Sequence, residues 1–289
     1  MRADLPGRII IAAAMDQELA PLKIAFRPSI IQQLLPPRPQ KGDRSQRSGW
    51  TNSLESPLTK GETGEVTSKS ILSRLPFEGG TVPDVQLLKT GIGVAKAAES
   101  LSRCLAQGSV QAVLGIGFAG GLSLELQAGD LVVARRIRRN GVTMSVSPNL
   151  LEAAEKVRFR GTPVHFGTFI TVDQILGDSR AKGTLAASLE NHEVGCVDME
   201  SSAIGQVCSE RQIPFLIARC VTDKVGEDLP IDFNHCRKSD GEIETRKILL
   251  SALRHPGALA GLWGLRNRSR QCAENLADFV KELLCAAFA

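Results

Sequence analysis

Short apolar segments that alternate with longer amphipathic segments constrain the fold of this chain more than any other feature. Residues 8–14, 85–88, 110–115, 131–134, 164–171, 194–197 and 215–221 have the length and β-branched composition of strands. Residues 94–107, 149–158 and 200–211 read as helices, and another helix is predicted to begin near Asp16. Strands that alternate with helices predict an α/β fold, here a single domain in which helices flank a mixed sheet in three layers.

Two regions interrupt this alternation. Residues 36–70 are polar, rich in Pro, Gly and Ser, and without periodicity, which predicts a flexible insertion within the domain; a lid over a functional site is the alternative. From about residue 242 to residue 288 the pattern indicates a helical C-terminal extension, interrupted at Pro256.

Composition excludes several classes of protein. The 289 residues are 43% hydrophobic, enough for a sizeable core, without the run of about 20 apolar residues that a membrane span needs. Seven scattered cysteines, never spaced as C-x-x-C, argue against disulfides and a zinc site and favour a reducing compartment, so we expect a cytoplasmic protein. A net charge of +4 and 4% aromatic residues do not suggest a nucleic-acid partner.

The segment VLGIGFAGGL, residues 113–122, contains the G-x-G-x-x-G pattern of dinucleotide-binding proteins. That pattern binds pyrophosphate only where a strand turns into a helix, and here only the short LSLELQA follows before the next predicted strand. We therefore reject a dinucleotide cofactor and interpret the segment as a glycine-lined turn at the end of a central strand.

Acidic residues follow several predicted strands. Glu18 comes just after the first strand, Asp198 and Glu200 end the segment that precedes a helix, and Asp223 ends FLIARCVTD. Ligands of such sheets bind beyond the carboxyl ends of the strands. Each acid alone could be a helix cap or a turn residue. Together they predict a site with acid–base capacity and without an obvious cation.

Five motifs resemble one known superfamily. AAAMDQE (12–18), KTGIGVAKA (89–97), GIGFAGGL (115–122), VDMESSAI (197–204) and PFLIARCVTD (214–223) occur in the order of the nucleoside phosphorylase/nucleosidase superfamily. The chain is most similar to the 5'-methylthioadenosine/S-adenosylhomocysteine nucleosidases, over roughly residues 8–233 without the insertion. The resemblance implies the nucleoside phosphorylase fold, a small-molecule nucleoside substrate, no cofactor or metal, and a homodimer.

The resemblance also implies roles for individual residues. Glu18 would activate the attacking water, and Asp223 would protonate the purine at N7. Met199 would pack on the ribose, and Glu200 would accept hydrogen bonds from its hydroxyls. Gly120 would let the ligand approach the backbone, and Leu176 would present main-chain groups to the base. A carboxylate beside the sugar and an acid beside the base match the charges that develop when the glycosidic bond breaks.

The resemblance leaves alternatives open. Hydrolysis is favoured over phosphorolysis because the acid Glu18 would repel phosphate. Arg135 and Arg136, however, are two cations to which the resemblance assigns no position. The C-terminal tail around Trp263 resembles that of hopanoid-associated phosphorylase-like proteins, so a purine nucleoside phosphorylase or a catalytically silent nucleoside-binding module is the alternative. Residues 139–145 lack the long loop that, in the nucleosidases, helps form the pocket for the 5' substituent. The 5' substituent of the substrate is therefore left open. We favour a packed terminal helix over a membrane-surface helix.

Overall fold

The computed structural model describes residues 7–26, 76–77, 80–81, 84–159, 161–190, 193–236, 244, 247–248 and 257–288. All of them belong to one compact unit, which residues 1–27 and 70–289 form. The predicted insertion at 36–70 lies outside the described residues.

Within the described residues, eight strands form one mixed sheet and two short strands pair separately. In chain order they are β1 (Arg8–Ala13), β2 (Pro76–Phe77), β3 (Gly80–Thr81), β4 (Val85–Lys89), β5 (Val110–Gly121), β6 (Leu131–Arg139), β7 (Val142–Ser145), β8 (Val164–Thr171), β9 (Gly195–Asp198) and β10 (Phe215–Asp223). Strands β2 and β3 form the small antiparallel pair. Each predicted strand is present, and β2, β3 and β7 are additions that the sequence pattern did not indicate.

Strand β5 is the centre of the sheet. It runs parallel to β1 through Gly115 and parallel to β10 as far as Gly120, and its last two residues pair antiparallel with β9. Strand β10 also pairs with β6, and β6 is linked through β8 to β9. The five strands β5, β10, β6, β8 and β9 therefore close on themselves, while β1 and β4 extend the sheet from β5.

The interpretation of the glycine segment as a turn was wrong. Residues 116–121 continue β5 in extended conformation and pair with β10 and β9. The glycines serve close packing instead, because a Cβ at Gly115 would lie 2.5 Å from the Ile217 side chain.

The helices cover the sheet. They are α1 (Asp16–Ala25), α2 (Val94–Leu105), α3 (Pro148–Lys156), α4 (Ser179–Ala186), α5 (Ser201–Glu210) and α6 (Ala258–Phe288). Helix α3 begins after Ser147 with Pro148 in its first turn, where a missing N–H costs nothing. Helix α4, which the sequence pattern did not predict, begins at the cap residue Asp178, whose carboxylate accepts a hydrogen bond from the Ala181 N–H at 2.9 Å.

Helix α6 is the C-terminal extension. Its second half is buried in the core through Leu276, Phe279, Val280 and Leu283, and the Phe279 ring meets Phe159 edge to face at 6.1 Å. Its first half leaves Trp263 65% exposed. None of the described helices has a stretch long and apolar enough to cross a membrane.

Candidate active site

A cavity of about 220 Å³ opens where the carboxyl ends of β1, β9 and β10 meet the last residues of β5. Its wall contains all six residues that the sequence analysis singled out: Glu18, Gly120, Leu176, Met199, Glu200 and Asp223. Asp198 is also among the lining residues, but its side chain is 0% exposed, so the carboxyl groups of Glu18, Glu200 and Asp223 are the acids available to a cavity that is otherwise mainly apolar. Helix α6 closes part of the wall with Leu265 and Ser269, a contribution that the sequence pattern did not predict.

Glu18 lies in the first turn of α1, and its side chain is 2% exposed. Its Oε2 accepts a hydrogen bond from the Met15 N–H at 2.7 Å, and its Oε1 accepts one from the Phe118 N–H at 3.0 Å. Burial raises the pKa of Glu18 above its ordinary value, although the nearby Arg219 and the two N–H groups act in the opposite direction. The carboxylate is thus fixed between α1 and β5 and binds a proton more readily than an exposed glutamate.

Glu200 caps α5 and connects two strand ends. Its Oε1 accepts a hydrogen bond from the Gly93 N–H at 2.8 Å, just before α2, and its Oε2 lies 3.6 Å from Arg219 Nη2. Burial raises the pKa of Glu200 to about 7, with Arg219 opposing and Asp198 adding to the rise. Glu200 therefore titrates near neutral pH.

Arg219 is a buried cation that the sequence analysis missed. It lies in the middle of β10, 1% exposed, and its Nε and Nη2 contact Asp198 Oδ2 at 2.9 and 2.8 Å. Its Nη1 donates to the Ile116 carbonyl at 2.8 Å, directly beside Gly117. A Cβ on Gly117 would lie 2.0 Å from Nη1 and 2.8 Å from Glu18 Oε1. Glycine at this position makes room for the guanidinium, and an arginine inside an otherwise apolar strand was the available sequence signal.

Asp198 completes this buried cluster. Besides Arg219, it accepts a hydrogen bond from Thr171 Oγ1 at 2.9 Å and contacts the Ser201 hydroxyl. Every charged member of the cluster has a partner, which buried charges require. The cluster fixes the end of β9 and with it Met199, which is 7% exposed and lies in the cavity wall between two of the carboxyl groups.

Asp223 ends β10 and faces the cavity on one side and a second buried cation on the other. Its Oδ1 accepts a hydrogen bond from Thr222 Oγ1 at 2.8 Å, and its Oδ2 accepts one from Lys182 Nζ, also at 2.8 Å. Gly120 is its cross-strand partner, and a Cβ there would lie 3.2 Å from Asp223 Oδ2. Glycine therefore leaves the carboxyl group accessible from the cavity.

The backbone beside Leu176 is held by a residue outside the predicted site. Asn234 Oδ1 accepts a hydrogen bond from the Ile175 N–H at 2.9 Å, and Asn234 Nδ2 donates to the Ile175 carbonyl at 2.8 Å. Phe233, its neighbour, lines the cavity. The two-way contact fixes the segment that carries Leu176, and no sequence signal pointed to it.

The prediction of a site without a cation was wrong in part. Arg219 and Lys182 are both buried next to the carboxyl groups, but neither reaches the cavity wall. The unassigned Arg135 and Arg136 line a separate groove and pair with Glu155 and Glu193 at 2.7 and 2.6 Å. Among the described residues, the wall of the cavity thus presents carboxyl groups and no basic side chain.

The described residues contain no group of three or more His, Cys, Asp or Glu side chains arranged to hold a metal ion. The carboxyl groups of the cavity wall can supply acid–base chemistry, and backbone and side-chain hydrogen bonds hold them in place.

Comparison with known proteins identifies relatives of the chain. A family model described as the Phosphorylase superfamily matches residues 54–254. The 5'-methylthioadenosine/S-adenosylhomocysteine nucleosidase of Marinomonas sp. (strain MWYL1) is 31% identical over 185 residues, which are 57% of this chain and 78% of that protein. The protein of the same description from Shewanella oneidensis is 26% identical over 189 residues, 58% of this chain and 79% of its own length.

Solved structures share the fold. The 5'-methylthioadenosine/S-adenosylhomocysteine nucleosidase from Colwellia psychrerythraea 34H, in complex with adenine, aligns with a TM-score of 0.62 and 18% identity over 98% of this chain and 97% of that one. The futalosine hydrolase of Helicobacter pylori strain 26695 aligns with a TM-score of 0.61 and 16% identity over 98% and 99% of the two chains. Both comparisons agree with the mixed α/β domain predicted from the sequence.

Proposed function

The chain belongs to the Phosphorylase superfamily, and on this premise we propose that it is an N-glycosyl hydrolase of the nucleosidase type, which hydrolyses a 5'-substituted adenosine, such as 5'-methylthioadenosine or S-adenosylhomocysteine, to adenine and the free sugar. The observation that carries the proposal is the cavity wall, which presents the carboxyl groups of Glu18, Glu200 and Asp223 and, among the described residues, no basic side chain.

In this proposal Glu18 is the base. Two backbone N–H groups hold its carboxylate in one orientation, and each oxygen keeps a lone pair for a water molecule. The raised pKa of Glu18 makes it a stronger base than an ordinary glutamate, closer to the operating pH at which general bases work best. Glu18 thereby orients the water and takes its proton as the water attacks the anomeric carbon.

Glu200 and Met199 hold the ribose in this proposal. The carboxyl group of Glu200 accepts hydrogen bonds from the sugar hydroxyls, and Met199 packs on the sugar face. As the bond to the base lengthens, the sugar becomes positively charged, and the carboxylates around it stabilise that charge because the cavity holds them in place before the reaction.

Asp223 is the acid, and Gly120 and Leu176 bind the base. Gly120 leaves the space through which the purine approaches Asp223, while the backbone fixed by Asn234 presents the main-chain groups of Leu176. The electron pair of the glycosidic bond moves onto the purine, and the proton of Asp223 goes to N7, so that the base leaves neutral. Such acid assistance accelerates a reaction by roughly 10²–10⁴-fold.

Phosphorolysis fits this cavity less well. A phosphate dianion needs cations or several donors. The buried Arg219 already donates to Asp198, the Ile116 carbonyl and the Ser201 hydroxyl. The carboxylate of Glu18 in the wall would repel the dianion.

The test is to incubate the protein with 5'-methylthioadenosine, S-adenosylhomocysteine, adenosine and futalosine, with and without phosphate. We expect adenine and free sugar from at least one of the first two substrates, independent of phosphate, and Glu18→Gln serves as the inactive control. Sugar 1-phosphate formed only with phosphate would make the protein a phosphorylase. Cleavage of futalosine alone would correct the substrate, and binding without any turnover would identify a silent nucleoside-binding module.

A further inference from the structure

Lys182 is a lysine with no exposed surface, although it belongs to the short helix α4. Its ammonium group has three hydrogens, and each has an acceptor: Asp223 Oδ2 at 2.8 Å, the Lys224 carbonyl at 2.6 Å and the Glu227 carbonyl at 2.5 Å. Lysine is almost never fully buried unless it is paired. The arrangement is therefore a built site for one ammonium group behind the proposed acid.

The surroundings hold this contact rigidly. The Ser179 N–H donates to Asp228 Oδ1 at 2.7 Å, so α4 is tied to the loop after β10 at a second point. The same loop is tied to α6 through Glu227 and Arg268, whose side chains are 2.7 Å apart. The ammonium group and the carboxyl group of Asp223 consequently stay together without support from a ligand.

Other titratable groups also surround the pair. They are Asp178 at the cap of α4, Cys196 on β9, Lys224, Glu227 and Asp228 in the loop after β10, and Arg268 on α6. Burial raises the pKa of the Cys196 thiol, which keeps it neutral, and Glu227 is neutralised by Arg268. Lys182 is thus the cation in direct contact with the Asp223 carboxyl group.

An ammonium group at this distance stabilises the carboxylate form of Asp223. The acid form is the one that gives its proton to the purine, and the carboxylate is what remains afterwards. A cation that stabilises the remaining carboxylate makes the proton easier to give, but it also leaves fewer Asp223 side chains protonated at a given pH.

We propose that Lys182 is a positioning residue that fixes the Asp223 carboxyl group and makes it a stronger acid, at the expense of activity at higher pH. The proposal rests on the proposed function, which makes Asp223 the acid. Asp223 takes up one proton from water before the reaction. When the C1'–N9 bond breaks, its electron pair stays on the purine, the Asp223 O–H bond breaks and the N7–H bond forms. Lys182 keeps its own protons and faces a carboxylate again.

The test compares the pH dependence of kcat in the wild type, Lys182→Met and the matched control Arg268→Met, which removes a cation from the same network without touching Asp223. We expect the alkaline limb of kcat in Lys182→Met to move to higher pH by about 1 to 3 pH units, while the maximal kcat falls. Arg268→Met should move the limb clearly less than Lys182→Met, because Arg268 acts on Asp223 through space and not in direct contact. A uniform loss of kcat with an unmoved limb would overturn the proposal, because a purely structural role predicts that result.

A second measurement does not need turnover. With aspartate labelled by ¹³C at the carboxyl carbon, the Asp223 resonance is assigned by its loss in Asp223→Asn. The protonated form should appear at higher pH in Lys182→Met than in the wild type, and an equal titration would overturn the proposal. If the wild type cleaves no nucleoside, the proposed function fails, and this titration still decides the role of Lys182. Lys182→Gln, which keeps a donor for the carbonyls, replaces Lys182→Met if that variant does not fold; failure of both to fold, with Arg268→Met folded, would assign Lys182 to stability alone.

Discussion

Replacing Arg219 by methionine removes the cation of the buried cluster while keeping much of the side-chain volume. The Arg219 side chain is 1% exposed, its partner Asp198 is 0% exposed, and Glu200 is 7% exposed. Water cannot replace the lost guanidinium at such positions, so the carboxylates stay buried without a counter-ion. Breaking a buried ion pair from one side costs about 3–5 kcal/mol, and we expect Arg219→Met to lower the free energy of unfolding by that amount at pH 8.

The same reasoning predicts how this loss depends on pH. Arg219 lowers the pKa values of Glu18 and Glu200, which burial raises. Without it both pKa values rise further, so the folded variant binds more protons than the unfolded chain over a wider range above pH 5. Stability then falls as pH rises through that range. The difference between wild type and variant should therefore be smaller at pH 5.5 than at pH 8.

Urea unfolding followed by far-ultraviolet circular dichroism at the two pH values measures both effects. The double variant Asp198→Asn/Arg219→Met is the control, because it removes the two charges together and should recover part of the loss. An equal loss at pH 5.5 and pH 8, or a double variant less stable than Arg219→Met, would refute the electrostatic account of the cluster.

Three further substitutions test the site. Asp223→Asn keeps the size but cannot give a proton, so kcat should fall by about 10²-fold or more, while the affinity for adenine, measured by calorimetry, changes little; a near-normal kcat would make this residue a turn residue only. Glu200→Gln should raise KM and lower kcat. It should also flatten the decline of unfolding free energy with rising pH, because a pKa raised from 4.5 to about 7 corresponds to about 3 kcal/mol lost as pH rises from about 4 to 8; an unchanged slope would contradict the assignment. Asn234→Ala leaves the Ile175 N–H and carbonyl without their partner, which should cost about 1–3 kcal/mol and raise KM more than it lowers kcat; an unchanged KM would separate that contact from substrate binding.

The sheet and most helices could be predicted because their signals are local. Strand β10 was predicted over residues 215–221, and the structure extends it only to Asp223, while α2 places Ala97, Leu101 and Leu105 on one buried face. Helix α4 was missed because its sequence, SRAKGTLA, has no apolar stripe; its one fully buried side chain is Lys182.

The acidic residues of the candidate site could be predicted from the sequence, whereas its buried cations could not. Glu18 lies in the first turn after β1 and Asp223 ends β10, so topology alone places them at one edge of the sheet. The partners of Arg219 lie 103 residues away in β5 and 21 residues away in β9, and those of Lys182 lie more than 40 residues away. Pairings over such separations depend on how the strands close on themselves, which no local pattern reports. The role of the glycine segment was predicted wrongly for the same reason, because Gly117 makes room for Arg219, whose position depends on these distant pairings.

The contact between Gly117 and Arg219 restricts the order in which this sequence can change. Any side chain added at position 117 collides with the guanidinium across the strand, whereas a shorter residue at 219 first removes that collision, though not the close approach to Glu18 Oε1, and leaves Asp198 without its cation. Neither single step is neutral, so the two positions should vary together among descendants of this gene. A saturation library at position 117 alone should return only glycine, and a library that randomises both codons should reach combinations that stepwise selection does not.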